Sequence, residues 1–277
     1  MTATLIALIQ SAAGGHAVTQ AQGGALAALR DSAFALVLFE AEASSPWLLA
    51  DLRQFLDRHR PHGAILLPPL ASVAGVAELC LEMGCSPVGL DPAGLDGPAP
   101  TLCSNDRQSA SDATHYLIAL GHRRIGLIAG PDGCRSSREC ELGFIDALAA
   151  HDLDRGAELI AGCDGSGPAG MAAARLLLEV SPRPTAIFAA SDALAADVMR
   201  VAQAIGLDIP GELSLIGFGD DPAALLLPVA LTSVHTPTSE MAFAAAIQLI
   251  GGKASAPQPV EFFGTLVPRA STGPAPV

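Results

Sequence analysis

The residues best spaced for chemistry are glycines. Gly165-Ser166-Gly167-Pro168-Ala169-Gly170 fits G-x-G-x-x-G, and Asp192 follows the last glycine by 22 residues. In dinucleotide-binding folds such glycines let the backbone close on a pyrophosphate, and the later acid holds a ribose hydroxyl. A nucleotide-dependent α/β enzyme using Gly165 to Gly170 is one reading. Against it, the preceding ELIAGCD is short and polar at its end, and Pro168 removes one N–H from the cradle. The plain alternative is a Gly-rich loop between strand and helix in a chain with 28 glycines. The histidines, His16, His59, His62, His115, His122, His151 and His235, form no H-x-x-x-H or H-E-x-x-H pair, so no metal site is expected. His59 and His62 flank Arg60-Pro61 at a helix end, where they interact favourably with the helix dipole. His122-Arg123-Arg124 reads as a solvated turn rather than a phosphate site. The cysteines at 80, 85, 103, 134, 140 and 163 contain no C-x-x-C and read as reduced core thiols, which points to the cytoplasm. There is no G-x-x-x-x-G-K-[ST], no G-x-S-x-G and no nucleophile with a positioned base. A non-enzymatic chain without cofactors is expected.

The elements that must position these residues follow from composition and pattern. Of 277 residues, 50% are hydrophobic and 16% charged, which excludes a disordered or collagen-like chain. Fifteen Lys and Arg stand against 28 Asp and Glu, a net charge of −13 that repels phosphate and argues against nucleic-acid binding by this chain alone. The length suits one large α/β unit or two lobes of about 130 residues each. Short apolar runs at 5–10, 35–39, 63–67, 87–90, 125–129, 158–161, 186–189 and 213–217 read as strands. Helical stretches at 21–30, 46–59, 71–83, 109–120, 139–150, 169–179, 192–205 and 239–250 alternate with them. That alternation implies parallel sheets covered on both faces. Ser191-Asp192 reads as a helix cap, and Gly121 and Gly206 as helix stops. The Pro/Gly-rich stretch 90–104 and the segment 231–237 (LTSVHTP) read as crossings between two lobes, which favours lobes over a closed barrel. Residues 259–266 read as a further strand and 268–277 as a tail without a helix. The apolar run near the N-terminus is short and has no Lys or Arg before it, so a strand is expected there rather than a secretory signal. No run of about 20 apolar residues spans a membrane.

Six segments then stand out in order. They are DATHYLIALGHRRIGLIAG (112–130), Gly143-Phe144 with Ala147-Leu148, PTAIFAASDALA (184–195), IPGELSLIGFGDDP (209–222), PVALTSVHTP (228–237) and LVPRAST (266–272). Together they closely resemble the effector-binding core of LacI/GalR-family bacterial transcriptional regulators, from about residue 4 to 272. The resemblance implies two doubly wound parallel-sheet α/β lobes of the periplasmic-binding-protein type I kind, joined by three crossings. It places 1–104 with 237–264 in one lobe and 105–236 with 265–277 in the other. It also implies a small-molecule effector, a sugar or sugar derivative, held between the lobes of a homodimer. Operator DNA is expected to be reached only through a helix-turn-helix headpiece, which this chain is read as lacking.

The chain departs from the family at several effector-contacting positions. The arginine three residues before Gly-Phe is Cys140, the Asn of A-N-D is Ser191, the first Asp after G-[FY] is Gly219, and the Gln before the late proline is Thr236. A loop aromatic is replaced by Gly165. Loss of the arginine or the aspartate alone would strand a buried charge, at about 3–5 kcal/mol, whereas loss of both leaves a neutral cleft. The smaller side chains suit a bulkier or less polar ligand, or a core that dimerises without one. With eleven aromatic residues in the chain, the usual stacking grip on a sugar ring is doubtful. Open α/β sheets bind ligands at the C-terminal ends of their strands. The candidates there are Gln10, Ser11, His16, Glu42 and Asp91, then Arg138, Cys140, Ser191, Asp192, Gly219, Asp220 and His235. Asp192 also reads as a helix cap, and Arg138, about 200° round the helix from Cys140, is expected to face solvent.

Overall fold

The computed structural model describes residues 4–11, 15–92, 97–132, 134–164, 167–252 and 261–276. The chain runs through β1 (Thr4–Gln10), α1 (Gly15–Leu29), β2 (Phe34–Glu40), α2 (Leu48–His59), β3 (Gly63–Leu66), α3 (Val76–Glu82), β4 (Ser86–Leu90) and β5 (Thr101–Ser104). It continues through α4 (Asp106–Ala119), β6 (Ile125–Ala129), α5 (Arg135–Ala150), β7 (Ile160–Gly162), α6 (Gly167–Glu179), β8 (Ala186–Ala189), α7 (Asp192–Ala204), β9 (Ser214–Gly219) and β10 (Thr232–His235). Last come α8 (Thr238–Ile250), β11 (Glu261–Phe262) and β12 (Thr265–Val267). Two compact units result: Met1–Ser104 with Pro237–Phe262, and Asn105–Thr236 with Phe263–Val277.

Each unit is built on one six-stranded sheet. The first has the order β11-β5-β4-β3-β1-β2 and the second β12-β10-β9-β8-β6-β7. All pairs are parallel except β10 with β12. Successive side chains on a strand point to opposite faces, so a strand covered on both sides is apolar throughout. In β1, Ile6 and Leu8 join the core with Ala21, Ala25 and Met241 of α1 and α8, while Ala7 and Ile9 join Leu52, Leu56 and Leu79 of α2 and α3. The second sheet divides in the same way. Ile128 and Ile187 face Leu177 and Val198 of α6 and α7, whereas Leu127 and Phe188 face Leu117 and Phe144 of α4 and α5.

Four segments differ from expectation. The crossing regions contain strands: β5 lies within 90–104 and β10 within 231–237. β10 is hard to read because Thr232 and Ser233 are fully buried yet polar, the Thr232 hydroxyl accepting from the Arg269 N–H and the Ser233 hydroxyl donating to Asp192. Residues 259–266 hold two short strands in different sheets, β11 and β12, with 259 and 260 outside the described residues. Phe263 and Gly264 fall with the second unit, where the Gly264 N–H donates to Ser109 Oγ at 3.0 Å. The run expected at 158–161 begins as a tight turn, Ala157–Leu159, before β7. Among the described residues no helix is long and apolar enough to cross a membrane.

His122 is no part of a solvated turn. It is 0% exposed, with Nδ1 at 2.9 Å from Thr185 Oγ1 and Nε2 at 2.9 Å from Ser214 Oγ and 3.1 Å from the Gly273 carbonyl. A carbonyl only accepts, so the neutral ring carries its proton on Nε2 and bolts the C-terminal segment to the starts of β8 and β9. Arg123 donates to the Ile118 carbonyl, and Arg124 to the Pro182 carbonyl and Glu158. Burial depresses the His122 pKa below its ordinary 6.5, with the Gly273 hydrogen bond partly opposing. The unfolded chain therefore binds the extra proton first as pH falls. The stability contributed by the neutral ring is complete above pH 6.5 and is lost as pH falls through the depressed value. Between pH 7 and 5 the melting temperature of wild type is expected to fall more steeply than that of His122→Gln. Parallel profiles would show that the ring is not held neutral.

The thiols are more varied than a set of core cysteines. Cys80, Cys85 and Cys140 are buried, Cys103 and Cys163 are half-buried, and Cys134, just before α5, is exposed. A hydrogen bond with Cys80, then burial, pushes the Cys85 thiol up, and burial pushes Cys140 up. The thiolate is the reactive form. A maleimide is therefore expected to label Cys134 in the native protein and to leave Cys80, Cys85 and Cys140 untouched until denaturant is added. Native labelling of Cys140 would contradict its place in the core.

Candidate functional site

In the second unit the ends of β8, β9 and β10 assemble a continuous polar network. Ser191 caps α7, its Oγ accepting from Leu194 N–H at 3.2 Å. Asp192 is not the cap. Its carboxylate reaches across to accept from Asp221 N–H at 2.6 Å and from Ser233 Oγ at 2.5 Å. Burial pushes this carboxyl above the usual range, its two hydrogen bonds pull it back, and the charges of Asp220 and Asp221 push it up again. Ser233 Oγ in turn accepts from Asp220 N–H at 3.1 Å.

Backbone conformation places Asp220. Gly219 ends β9 at φ 129°, a region nearly closed to other residues, and Asp220 follows at φ 55°. This left-handed turn folds the Asp220 carboxylate back over the sheet edge. There its Oδ1 accepts from Arg269 Nη2 at 2.5 Å, and its Oδ2 lies 3.3 Å from His235 Nδ1. Arg269 also donates through Nη1 to the Leu231 carbonyl at 2.7 Å, and its backbone N–H donates to Thr232 Oγ1 at 2.8 Å. The Arg269 and Asp220 side chains are 17% and 18% exposed, whereas that of His235 is 39% exposed. A largely buried Arg–carboxylate pair thus sits behind an accessible imidazole.

In the first unit, Gln10 ends β1 and is 1% exposed. Its Oε1 accepts from Gln22 Nε2 at 3.0 Å and its Nε2 donates to Glu40 Oε1 at 2.6 Å. Ser11 follows, also buried. The strand order places β1 beside both β2 and β3, so its end is the switch point at which open α/β sheets take ligands. The Asp91 carboxylate accepts from Ser104 N–H at 2.8 Å and Ser104 Oγ at 3.0 Å, which ties the end of β4 to β5. His16 is half-buried in the first turn of α1, and Glu42 is exposed between β2 and α2.

The candidates therefore sort unevenly. Ser191, Asp192, Gly219, Asp220 and His235 are brought together, and Gln10 and Ser11 share one strand end. Two expectations on α5 need correction or placement. Cys140 is 0% exposed and packs in the core with Leu117 and Phe144, so it is withdrawn from any ligand surface. Arg138 is exposed and makes no contact with the network among the described residues. The sequence reading missed Arg269 and Ser233 here, and Gln22 and Glu40 in the first unit. Arg269 had a signal, a lone charge directly after a short apolar strand. Gly165 and Ser166 of the glycine fingerprint lie outside the described residues, and the acid that would serve a ribose, Asp192, has both carboxylate oxygens engaged.

Chemically, the second unit offers a set of fixed hydrogen-bonding groups. Among the described residues no group of three or more His, Cys, Asp or Glu could hold a metal ion. Where the strands of the first sheet begin lies an open groove of about 940 Å³, lined in part by Asp57, His59, Arg60, His62 and Glu82. The carbonyl ends of α2 and α3 reach it and disfavour anions there.

Comparison with known proteins gives a consistent result. The periplasmic binding protein-like domain matches residues 114–272. A transcriptional regulator of the HTH type from Streptomyces limosus is 38% identical over 150 residues, covering 53% of this chain and 42% of that protein. The HTH-type transcriptional regulator MalR of Streptomyces coelicolor is 33% identical over 187 residues, covering 64% of this chain and 53% of that protein. This chain thus spans about half the length of the curated relatives it matches. The solved transcriptional regulator CelR–cellobiose complex superposes with a TM-score of 0.85 at 26% identity, covering 98% of this chain and 86% of that one.

Proposed function

Because the chain belongs to the periplasmic binding protein-like family and is the effector-binding core of a LacI/GalR-type regulator, we propose that it senses a carbohydrate-like small molecule through the strand ends of its second unit. Regulators of this family are not enzymes. In the proposed scheme the core works as a homodimer in the cytoplasm, and ligand binding is passed to operator DNA through a helix-turn-helix headpiece. The pocket is atypical, with Ser191, Gly219 and Thr236 where the family carries larger polar groups.

The observation that supports this most is the satisfied network Asp192–Ser233–Asp220–Arg269 at the strand ends of the second unit. The array fixes a few polar groups at one strand end and leaves the His235 imidazole accessible at its rim, which suits a ligand held by a small number of placed hydrogen bonds. The likeness to the CelR–cellobiose complex makes neutral disaccharides the first ligands to try.

A melting scan against cellobiose, maltose, monosaccharides, sugar acids, purines and NAD(P) tests the reading. A ligand at 100 times its dissociation constant stabilises by about 2.7 kcal/mol. At this size that is an expected rise of roughly 5–10 °C with one carbohydrate class. A rise with NAD(P) alone would return the glycine-fingerprint reading. No rise with any compound would leave a dimerising core that has lost its ligand.

A further inference from the structure

We propose that His235 offers the ligand a hydrogen-bond acceptor at Nε2, that Asp220 sets this polarity and Arg269 holds Asp220 in place, and that this rim selects an uncharged hydroxyl donor over an anion. The proposal rests on the reading above, that the strand ends of the second unit face the ligand.

The argument starts from the carboxylate. An ionised Asp accepts and never donates. With Asp220 Oδ2 at 3.3 Å from His235 Nδ1, the carboxylate selects, of the two tautomers of the neutral ring, the one with its proton on Nδ1, which leaves a bare lone pair on Nε2. Nε2 has no protein partner among the described residues, and the ring is the most exposed member of the network. Asp220 cannot turn away. Its Oδ1 is held by Arg269 Nη2, its N–H by Ser233, and its backbone by the left-handed turn. Among the described residues of the network the other charges are Asp192 and Asp221, which stand beside Asp220, and Arg269, which is spent on Asp220 and the Leu231 carbonyl. A carboxylate or phosphate would meet lone pairs and negative charge, whereas a sugar hydroxyl can donate to Nε2.

The same geometry predicts an inversion. In Asp220→Asn the side chain keeps one acceptor and gains one donor. Arg269 has only donors, so it takes the amide oxygen, and the NH2 group turns toward His235 Nδ1. That nitrogen must then accept, and the proton moves to Nε2, which becomes a donor. Asn tolerates the left-handed conformation, so the turn is kept.

The test is ¹⁵N NMR of the histidine-labelled full chain, with His235 assigned by its loss in His235→Gln. Wild type is expected to show a protonated Nδ1 and a bare Nε2, and Asp220→Asn the reverse. A protonated Nε2 in wild type, or an unchanged tautomer in Asp220→Asn, would overturn the proposal. Cellobiose, or whichever neutral sugar gives the largest melting rise, is then titrated. The Nε2 resonance is expected to move in wild type and affinity to fall at least tenfold in Asp220→Asn. A neutral sugar that raises the melting temperature but leaves Nε2 unmoved would overturn the role of His235. A hexuronate that binds better than its neutral counterpart would overturn the selection. If no sugar raises the melting temperature, the sensor reading fails and takes the ligand half with it, while the tautomer result still reports on Asp220 by itself.

Discussion

Arg269→Met is expected to destabilise the second unit by about 2–4 kcal/mol. The side chain is largely buried and supplies two hydrogen bonds, to Asp220 Oδ1 and the Leu231 carbonyl. Removing one partner of such a pair leaves the other as an uncompensated charge, which costs more than the pair itself contributes. Met fills a similar volume, so the loss is electrostatic rather than a cavity. The control is the double variant Arg269→Met with Asp220→Asn, in which no stranded carboxylate remains. It is expected to recover about 1–2 kcal/mol relative to the sum of the single changes, because neighbours in one network do not add. Urea unfolding of the four proteins measures the cycle. Strict additivity, or a wild-type-like Arg269→Met, would show that the pair does not hold the turn.

Gly143→Val is expected to cost about 3 kcal/mol, by a different route. Gly143 lies where α5 crosses α4. A Cβ added there would fall inside the contact radius of the Arg107 carbonyl oxygen and within 3.0 Å of Ser111 N. Both are backbone atoms of α4, so no side-chain rotation relieves the clash and the helices must separate. Separation draws Phe144, 0% exposed, out of its packing against Leu117 and Phe188. Overpacking of this kind typically costs 1–3 kcal/mol. At roughly 2–4 °C per kcal/mol, a melting temperature lower by about 6–12 °C is expected, with Gly143→Ala intermediate. An unchanged melting temperature would mean that the α4–α5 contact is looser than described.

The sequence patterns that were easiest to read are those governed by one physical rule at a time. β6 and β8 lie where the apolar runs 125–129 and 186–189 place them, because a strand covered on both faces has no polar positions to blur its ends. The chain does pass between units within 231–237, at Thr236 to Pro237, but the strand β10 inside that segment was missed for the opposite reason. The buried hydroxyls of Thr232 and Ser233 are satisfied by the Arg269 N–H and by the Asp192 carboxylate, from segments far away in sequence. Composition cannot show such satisfaction. Helix periodicity did hold information that the family likeness obscured. Cys140, Gly143, Phe144, Ala147 and Leu148 are the buried residues of α5, at spacings of three, four and seven, which is one face. Cys140 therefore belonged to the core from the pattern alone. Asp192 is the converse case. Its place beside Ser191 suggests a cap, but the serine alone makes that bond, and the aspartate is freed to organise the β9 turn. Arg269 is 49 residues from Asp220, and only the antiparallel pairing of β12 with β10 shows why they meet.

The proposed sensor takes a neutral molecule at the strand ends of its second unit. The most direct measurement is a titration of the isotopically labelled chain with cellobiose, or with the neutral sugar that most raises its melting temperature, following the amides of Ser191, Asp220 and His235. These three are expected to shift along one saturation curve with a single dissociation constant. Absence of shifts at all three, or shifts centred on His59 and His62 where the strands of the first sheet begin, would contradict it.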